Sequence, residues 1–368
     1  MRMAWRELFR RPKAFLVPMG TLLLLALLLL YPSAILDGVV RDGTAAMRNA
    51  QADLIVYARD ANGVILRSQV EPTTRATVAG VSGVDKVSTF DVALFTGTVS
   101  GRDEPVGFAV LTSDQKIGPE IPAPGEAYVD STLRERAGIE EGSDIVLGPF
   151  RLPVKVVGFT HGTNLLFNGG MVVDKATWLA AFGQPPAAEE GGSTSVADAA
   201  SQALLVNVES GADLGDVAAA IDRSTESETE TLTRAAAVRA IPGVEQQEST
   251  FGYIRIVTLG VALLVVGLFL SFVTLERAPL YAVMKALGAS SWQLFFALLT
   301  QVLVITDLAV NAAALVTWGL TKLPLDLPTE MRMVRFVETA VALRTAAVVG
   351  SALSLRRVMR IAPADAIG

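Results

Sequence analysis

Residues 283–305 read V-M-K-A-L-G-A-S-S-W-Q-L-F-F-A-L-L-T-Q-V-L-V-I. The stretch falls into a short helical run, a stop at Gly288, and a restart at Ser290 or Ser291 that enters a long apolar segment. A glycine just past a helix adopts the left-handed backbone that closes it. A serine ahead of the next helix accepts hydrogen bonds from the free N–H groups of its first turn. Upstream, Pro279 suits a first helical turn, where its missing N–H would be unpaired anyway. The pattern predicts a helix of about two turns over 279–287, held between apolar runs at 254–275 and 293–320. A small, carefully terminated helix between two such runs decides the fold class: this is an α-helical membrane protein.

A bilayer core of about 30 Å needs roughly 20 apolar helical residues. Residues 15–30 and 256–275 carry no charge, and 293–320 carries only Asp307. A weaker fourth candidate, 336–355, is interrupted by Glu338 and Arg344. The expected spans are 14–35, 254–275, 293–320 and 336–355. The basic start M-R-M-A-W-R-E-L-F-R-R-P-K fits the n-region of a signal peptide, but the apolar part is long and no A-x-A site follows, so an uncleaved anchor is favoured. Within 1–13, Met1, Trp5, Leu8 and Phe9 share one helical face opposite the arginines, as in an interfacial amphipathic helix; plain basic flanking residues are the alternative.

Charge sets the orientation. Arg2, Arg6, Arg10, Arg11 and Lys13 precede the first span, and Arg356, Arg357 and Arg360 follow the fourth, so both termini are expected inside. Residues 36–253 hold 16 basic and 30 acidic residues, against 15 and 7 in the remainder. That split excludes nucleic acid as an expected partner and suits a multi-pass protein of a bacterial inner membrane, with 36–253 outside, 321–335 an outer loop, and 276–292 and 356–368 cytoplasmic.

The segment 36–253 reads as a large α+β domain. Strand and helix signals alternate over 36–120 and again over 200–248, giving two similar pieces of a porter-like lobe, with Asp213 as a helix cap. Between them, 121–183 is β-rich, with E-E-G-S-D and F-N-G-G as hairpin turns. Residues 184–199, rich in Pro, Gly and Ser, read as a linker. There is no cysteine, so thiol chemistry and disulfides are excluded. No G-x-x-x-x-G-K-[ST] occurs, and His161 is the only histidine, which reads as a surface residue. No catalytic constellation and no metal-ligand set emerges.

One polar pattern stands out in the spans. Asp307 lies about 14 residues, or ~21 Å, above the inner end of span 3, and Arg344 about 12 residues, or ~18 Å, above Arg356. Antiparallel neighbours would bring them to matching depth, with Asn311 one turn from Asp307. An unpaired charge at that depth costs at least ~2.5–3.5 kcal/mol, so an intramembrane pair is expected.

The segment E-R-A-P-L-Y-A-V-M-K-A-L-G-A-S resembles that of FtsX-like, MacB-like ABC permeases, in which an E-R pair precedes a helix that docks on the ATPase. The tail L-R-R-V-M-R-I-A-P-A-D-A-I-G and the N-terminal stretch resemble the same family, as does the order of one span, an outer domain and three further spans. After Glu276 and Arg277 this chain has Ala-Pro-Leu where the family carries more charge. The resemblance implies an ATPase-coupling role for Glu276, Arg277, Lys285, Ala286, Leu287, Gly288, Ala289 and Ser290. It also implies two copies of a separate cytoplasmic ABC ATPase, which would carry ATP and Mg, and a second permease chain in a homodimer or heterodimer. The run I-P-G-V-E-Q-Q-E-S-T-F-G-Y-I is most similar to DevC-type permeases, a branch that includes bacterial haem exporters. On that reading Tyr31, Glu245, Glu248, Phe251 and Tyr253 are the substrate-binding candidates and haem is one candidate substrate, though no axial-ligand pair stands out. The expected function is export or extraction of a hydrophobic or amphipathic molecule. Its rivals are a mechanotransmitter that regulates a cell-wall hydrolase and a receptor-like module without an ATPase.

Overall fold

The structure is a computed structural model and describes residues 12–102, 104–183, 200–276, 283–284, 287–288, 290–323 and 328–360. The linker expected at 184–199, and the interfacial helix up to residue 11, lie outside the described residues. Two compact units emerge: Val40–Gln247, and Met1–Val39 with Glu248–Gly368.

The first unit is built around β2 (Val84–Val99), a strand of 16 residues. Its first half pairs antiparallel with β8 (Ala203–Val208), which pairs with β1 (Leu54–Ala58), which in turn pairs with β9 (Thr229–Thr233). Helices α3 (Pro72–Ala79) and α6 (Leu214–Ser224) cover this sheet; Val78, Val217 and Ile221 pack on Leu54, Val56, Leu204 and Val206. The chain order is a split β-α-β-β-α-β lobe. Asp213 caps α6, accepting from the Gly215 and Asp216 N–H groups, and its spacing before an apolar stripe was the sequence signal for that helix.

The second half of β2 closes a different structure. It pairs with β3 (Val106–Ser113) on one side and β5 (Asp144–Leu147) on the other. The ring continues from β3 through β7 (Gly169–Val172), β4 (Glu126–Asp130) and β6 (Leu152–Thr160) back to β5. Six strands thus close a small barrel, filled by Phe108, Val110, Val129, Ile145, Leu147, Val156 and Met171. The strand β3, expected within the 36–120 lobe, belongs to this barrel, because its alternate residues Phe108 and Val110 point into the barrel core. The expected F-N-G-G turn also lies elsewhere. The tight turn is at Leu166–Phe167, while Gly170 sits in β7, where a Cβ would meet the Thr163 carbonyl oxygen at 2.3 Å.

Asp91 stands on β2 where the strand passes from lobe to barrel, since its neighbour Phe90 pairs with both Ser113 and Ala203. Its side chain is buried; Lys175 donates to Oδ2 at 2.7 Å and the Gln202 N–H to Oδ1 at 2.8 Å. Lys175 also lies over the Trp178 ring, so α5 (Lys175–Ala180) is pinned to β2.

The second unit holds four long helices: α1 (Pro12–Gly43, which ends in the first unit), α8 (Val244–Glu276), α9 (Ser291–Leu320) and α10 (Met333–Arg360). They share a core of Leu25, Ala26, Leu29 and Leu30 with Ala262, Val310, Ala313, Ala340 and Leu343. The alanines let neighbouring backbones approach closely, which is how helices pack where no hydrophobic effect separates them from solvent. Among the described residues, three segments are long and apolar enough to cross a membrane: Met19–Gly43, Val244–Val265 and Trp292–Leu320. Helix α10 is long enough, but Arg335, Glu338 and Arg344 crowd its first half.

Burial pushes the Asp91 carboxyl above the usual carboxylate range; the Lys175 ammonium and the Gln202 N–H pull it back in part, and Asp114 adds to the rise. Between the unfolded value and the raised native one, the native chain holds a proton the unfolded chain lacks. Stability attributable to this group therefore falls as pH rises across that window and is level above it. Thermal unfolding of Asp91→Asn should lack that component of the pH slope; an identical slope in variant and parent would contradict the burial effect.

Candidate functional site

The connection between α8 and α9 carries the ATPase-coupling candidates. Glu276 is the last residue of α8, and Arg277, Lys285, Ala286 and Ala289 lie outside the described residues. Val283 and Met284 are helical, and the Leu287 N–H donates to the Val283 carbonyl at 3.0 Å. Gly288 then takes φ +95°, a left-handed backbone that a side chain would strain. Ser290 caps α9: its hydroxyl accepts from the Gln293 N–H, and the Gln293 side chain accepts from the Ser290 N–H at 3.0 Å. This reciprocal box fixes where the next helix begins. Just before that glycine, Leu287 is 83% exposed.

Higher along the same helix, Arg344 Nε donates to Asp307 Oδ1 at 2.7 Å and joins α9 to α10. Asn311 uses its amide on the Asp307 backbone carbonyl at 2.7 Å and leaves the carboxylate to the arginine. Both charged side chains remain partly exposed on the helical unit.

A second ionic cluster was not found by sequence reasoning. Arg335 grips Asp37 bidentately, Nε to Oδ2 at 2.9 Å and Nη2 to Oδ1 at 3.0 Å, while its Nη1 reaches Glu338 Oε2 at 3.1 Å. Arg255 bridges Glu338 at 3.3 Å and the Ser33 hydroxyl at 3.4 Å. Three helices, α1, α8 and α10, are therefore tied at one level. Two parallel charge-assisted bonds give geometric specificity as well as strength. The available signal was the placement of Asp37 just after one apolar run and of Arg335 just before another, at matching expected depth.

The substrate-binding candidates are not brought together by direct contacts. Tyr31 lies on α1, and Phe251 and Tyr253 on α8, where Tyr253 is 71% exposed. Glu245 opens α8 and belongs to the other unit, and the Glu248 side chain lies outside the description. Among the described residues no hydrogen bond, ion pair or ring contact joins Tyr31, Glu245, Phe251 and Tyr253, and no cluster of acidic or histidine side chains forms a metal-binding group. His161 is exposed, its ring Nδ1 2.6 Å from the Ser131 hydroxyl.

The two ionic sites should respond differently to mutation. Arg335→Ala leaves Asp37 buried without its partner and should cost about 3–5 kcal/mol of stability. Asp307→Ala should lower the yield of folded protein, and adding Arg344→Ala should partly restore it. Folded yield in detergent, scored by fluorescence size exclusion, checks both. A double variant no better than the sum of the singles would show that the α9–α10 pair contributes nothing.

Residues 253–363 match the family model described as FtsX-like permease C-terminal, which takes in most of α8 and all of α9 and α10. Two solved structures are similar to about half of the chain. The periplasmic region of MacB from Actinobacillus actinomycetemcomitans matches over 50% of this chain and 90% of its own, at 11% identity and a TM-score of 0.35. The extracellular domain of the noncanonic ABC-type transporter YknZ from Gram-positive bacteria matches over 50% and 100%, at 13% identity and a TM-score of 0.34. Over residues 253–363, then, the chain is similar to the C-terminal region of FtsX-like permeases.

Proposed function

We propose that this chain is the permease subunit of an ABC system in which a separate cytoplasmic ATPase moves the membrane helices. The observation that carries the reading is the α8–α9 connection: a helical turn closed by left-handed Gly288, a capped restart at Ser290, and Leu287 exposed at the end of that turn. A doubly terminated segment with an exposed apolar residue is suited to seat in a partner and to receive force from it. The match over 253–363 supports the same reading.

On this proposal α1, α8, α9 and α10 all span the bilayer, both termini are cytoplasmic and 36–253 is outside. The Arg344–Asp307 pair lets α10 cross despite its charge, because each ion enters the bilayer with its partner. Two permease chains work with two ATPase copies, and the work done is export or extraction of a hydrophobic or amphipathic molecule, with haem a candidate. A second reading, in which the motion drives an extracytoplasmic cell-wall hydrolase and moves no substrate, draws on α1, whose 32 residues run unbroken from Pro12 to Gly43 as a lever of about 48 Å.

Gly288→Pro and Lys285→Glu should leave the chain inserted while reducing the stimulation of its ATPase by about tenfold or more, since proline is fixed near φ −65° and cannot adopt the native backbone. Copurification and ATP turnover of the complex check this. Normal ATPase yield and turnover with both variants would contradict the docking role.

A further inference from the structure

The loop between β6 and β7 has an unusual turn. Leu165 and Asn168 exchange backbone hydrogen bonds at 3.1 and 3.0 Å, so Leu166 and Phe167 are the two central residues. Both take positive φ, 51° and 62°. That is a type I′ geometry, which strongly favours Asn-Gly. Two bulky side chains there hold a conformation the sequence disfavours locally, and such strain persists only where the surroundings over-determine it.

The surroundings are specific. A Cβ on Gly43, the last residue of α1, would come within 2.5 Å of Phe167 Cδ1 and 2.8 Å of Cε1. A Cβ on Gly243, immediately before α8, would lie 3.9 Å from Phe167 Cε2. One half-exposed ring therefore packs on Gly43 at the end of α1 and faces Gly243 just before α8. The same loop is bonded to the end of α1 as well. Asn164 Nδ2 donates to Asp42 Oδ1 at 2.7 Å, and the Ala46 N–H donates to the Asn164 carbonyl at 2.9 Å. Behind it the loop is anchored in the barrel: the Asn164 amide also bonds Thr132, its Oδ1 accepts from the Gly170 N–H at 2.8 Å, and Asp130 accepts from the Thr163 N–H and hydroxyl.

We propose that the Leu166–Phe167 turn is a coupling wedge, by which a change in the spacing of the α1 and α8 ends is passed to β4 and β7 of the barrel. It deepens the proposed function, resting on the reading that an ATPase moves α1 and α8. A turn with a merely structural role would be improved by its preferred residues. A wedge would be lost with them.

Leu166→Asn/Phe167→Gly supplies the favoured turn and removes the ring, so this variant should fold. Hydrogen exchange of the full chain in nanodiscs then gives a test that needs no ATPase. Gly43→Ala, which drives the ring from its seat, should speed exchange at residues 163–172 by about tenfold in the parent and by less than about twofold in the turn variant. Equal acceleration in both backgrounds would overturn the wedge. With the ATPase bound, trapping by ATP and vanadate should alter exchange in β4 and β7 of the parent but not of the turn variant. A barrel response retained by the variant would overturn the wedge alone. A parent chain that binds no ATPase would contradict the proposed function, while the Gly43→Ala arm still decides the wedge.

Discussion

Charge cannot be left unpaired in a low-dielectric interior, and that constraint orders the helical unit. Asp37 is buried, so its position requires the two-pronged contact of Arg335, which in turn brings Glu338 within reach of Arg255. The ends of α1, α8 and α10 are thereby set in one register. Farther along, Arg344 and Asp307 set α10 against α9. The apolar core between these two levels is built largely of leucine and alanine, which fills space but specifies register poorly. The ion pairs supply the specificity, and removing one partner costs more than the pair contributes, because it strands the other.

In the other unit the corresponding constraint is the length of β2. One strand serves as an edge of the helix-covered lobe and as a stave of the barrel, so neither can shift without the other. Asp91 lies at the junction, held by Lys175 from α5 and by the start of β8. The loop at 163–168 reaches from this barrel to residues 42–46, so the barrel also makes direct contact with the end of α1.

Much of this was legible in the sequence where local chemistry decides the outcome. Gly288 and Ser290 announced a stop and a restart, and Asp213 a helix start, because capping depends on a few adjacent residues. The depth argument that matched Asp307 with Arg344 needed only helical rise and antiparallel order. What the sequence hid depended on long-range pairing. β3 alternates equally well for a lobe or a barrel, and only its partner β7 assigns it. Glycines at 169 and 170 looked like a turn, yet Gly169 makes room for the Leu133 side chain and Gly170 for the Thr163 backbone, while the turn fell on Leu166 and Phe167, where propensity argues against it. The Asp37–Arg335 contact joins residues 298 positions apart, so its only trace is the placement of each at the end of an apolar run.

The central claim is that this chain works as a permease under the control of a separate ATPase, and its assembly tests that most directly. Native mass spectrometry of the detergent-extracted full chain, co-expressed with an ABC ATPase subunit from its own genome, should give a mass equal to two permease chains and two ATPase chains. A chain that extracts as a monomer and leaves the ATPase unbound would contradict the account.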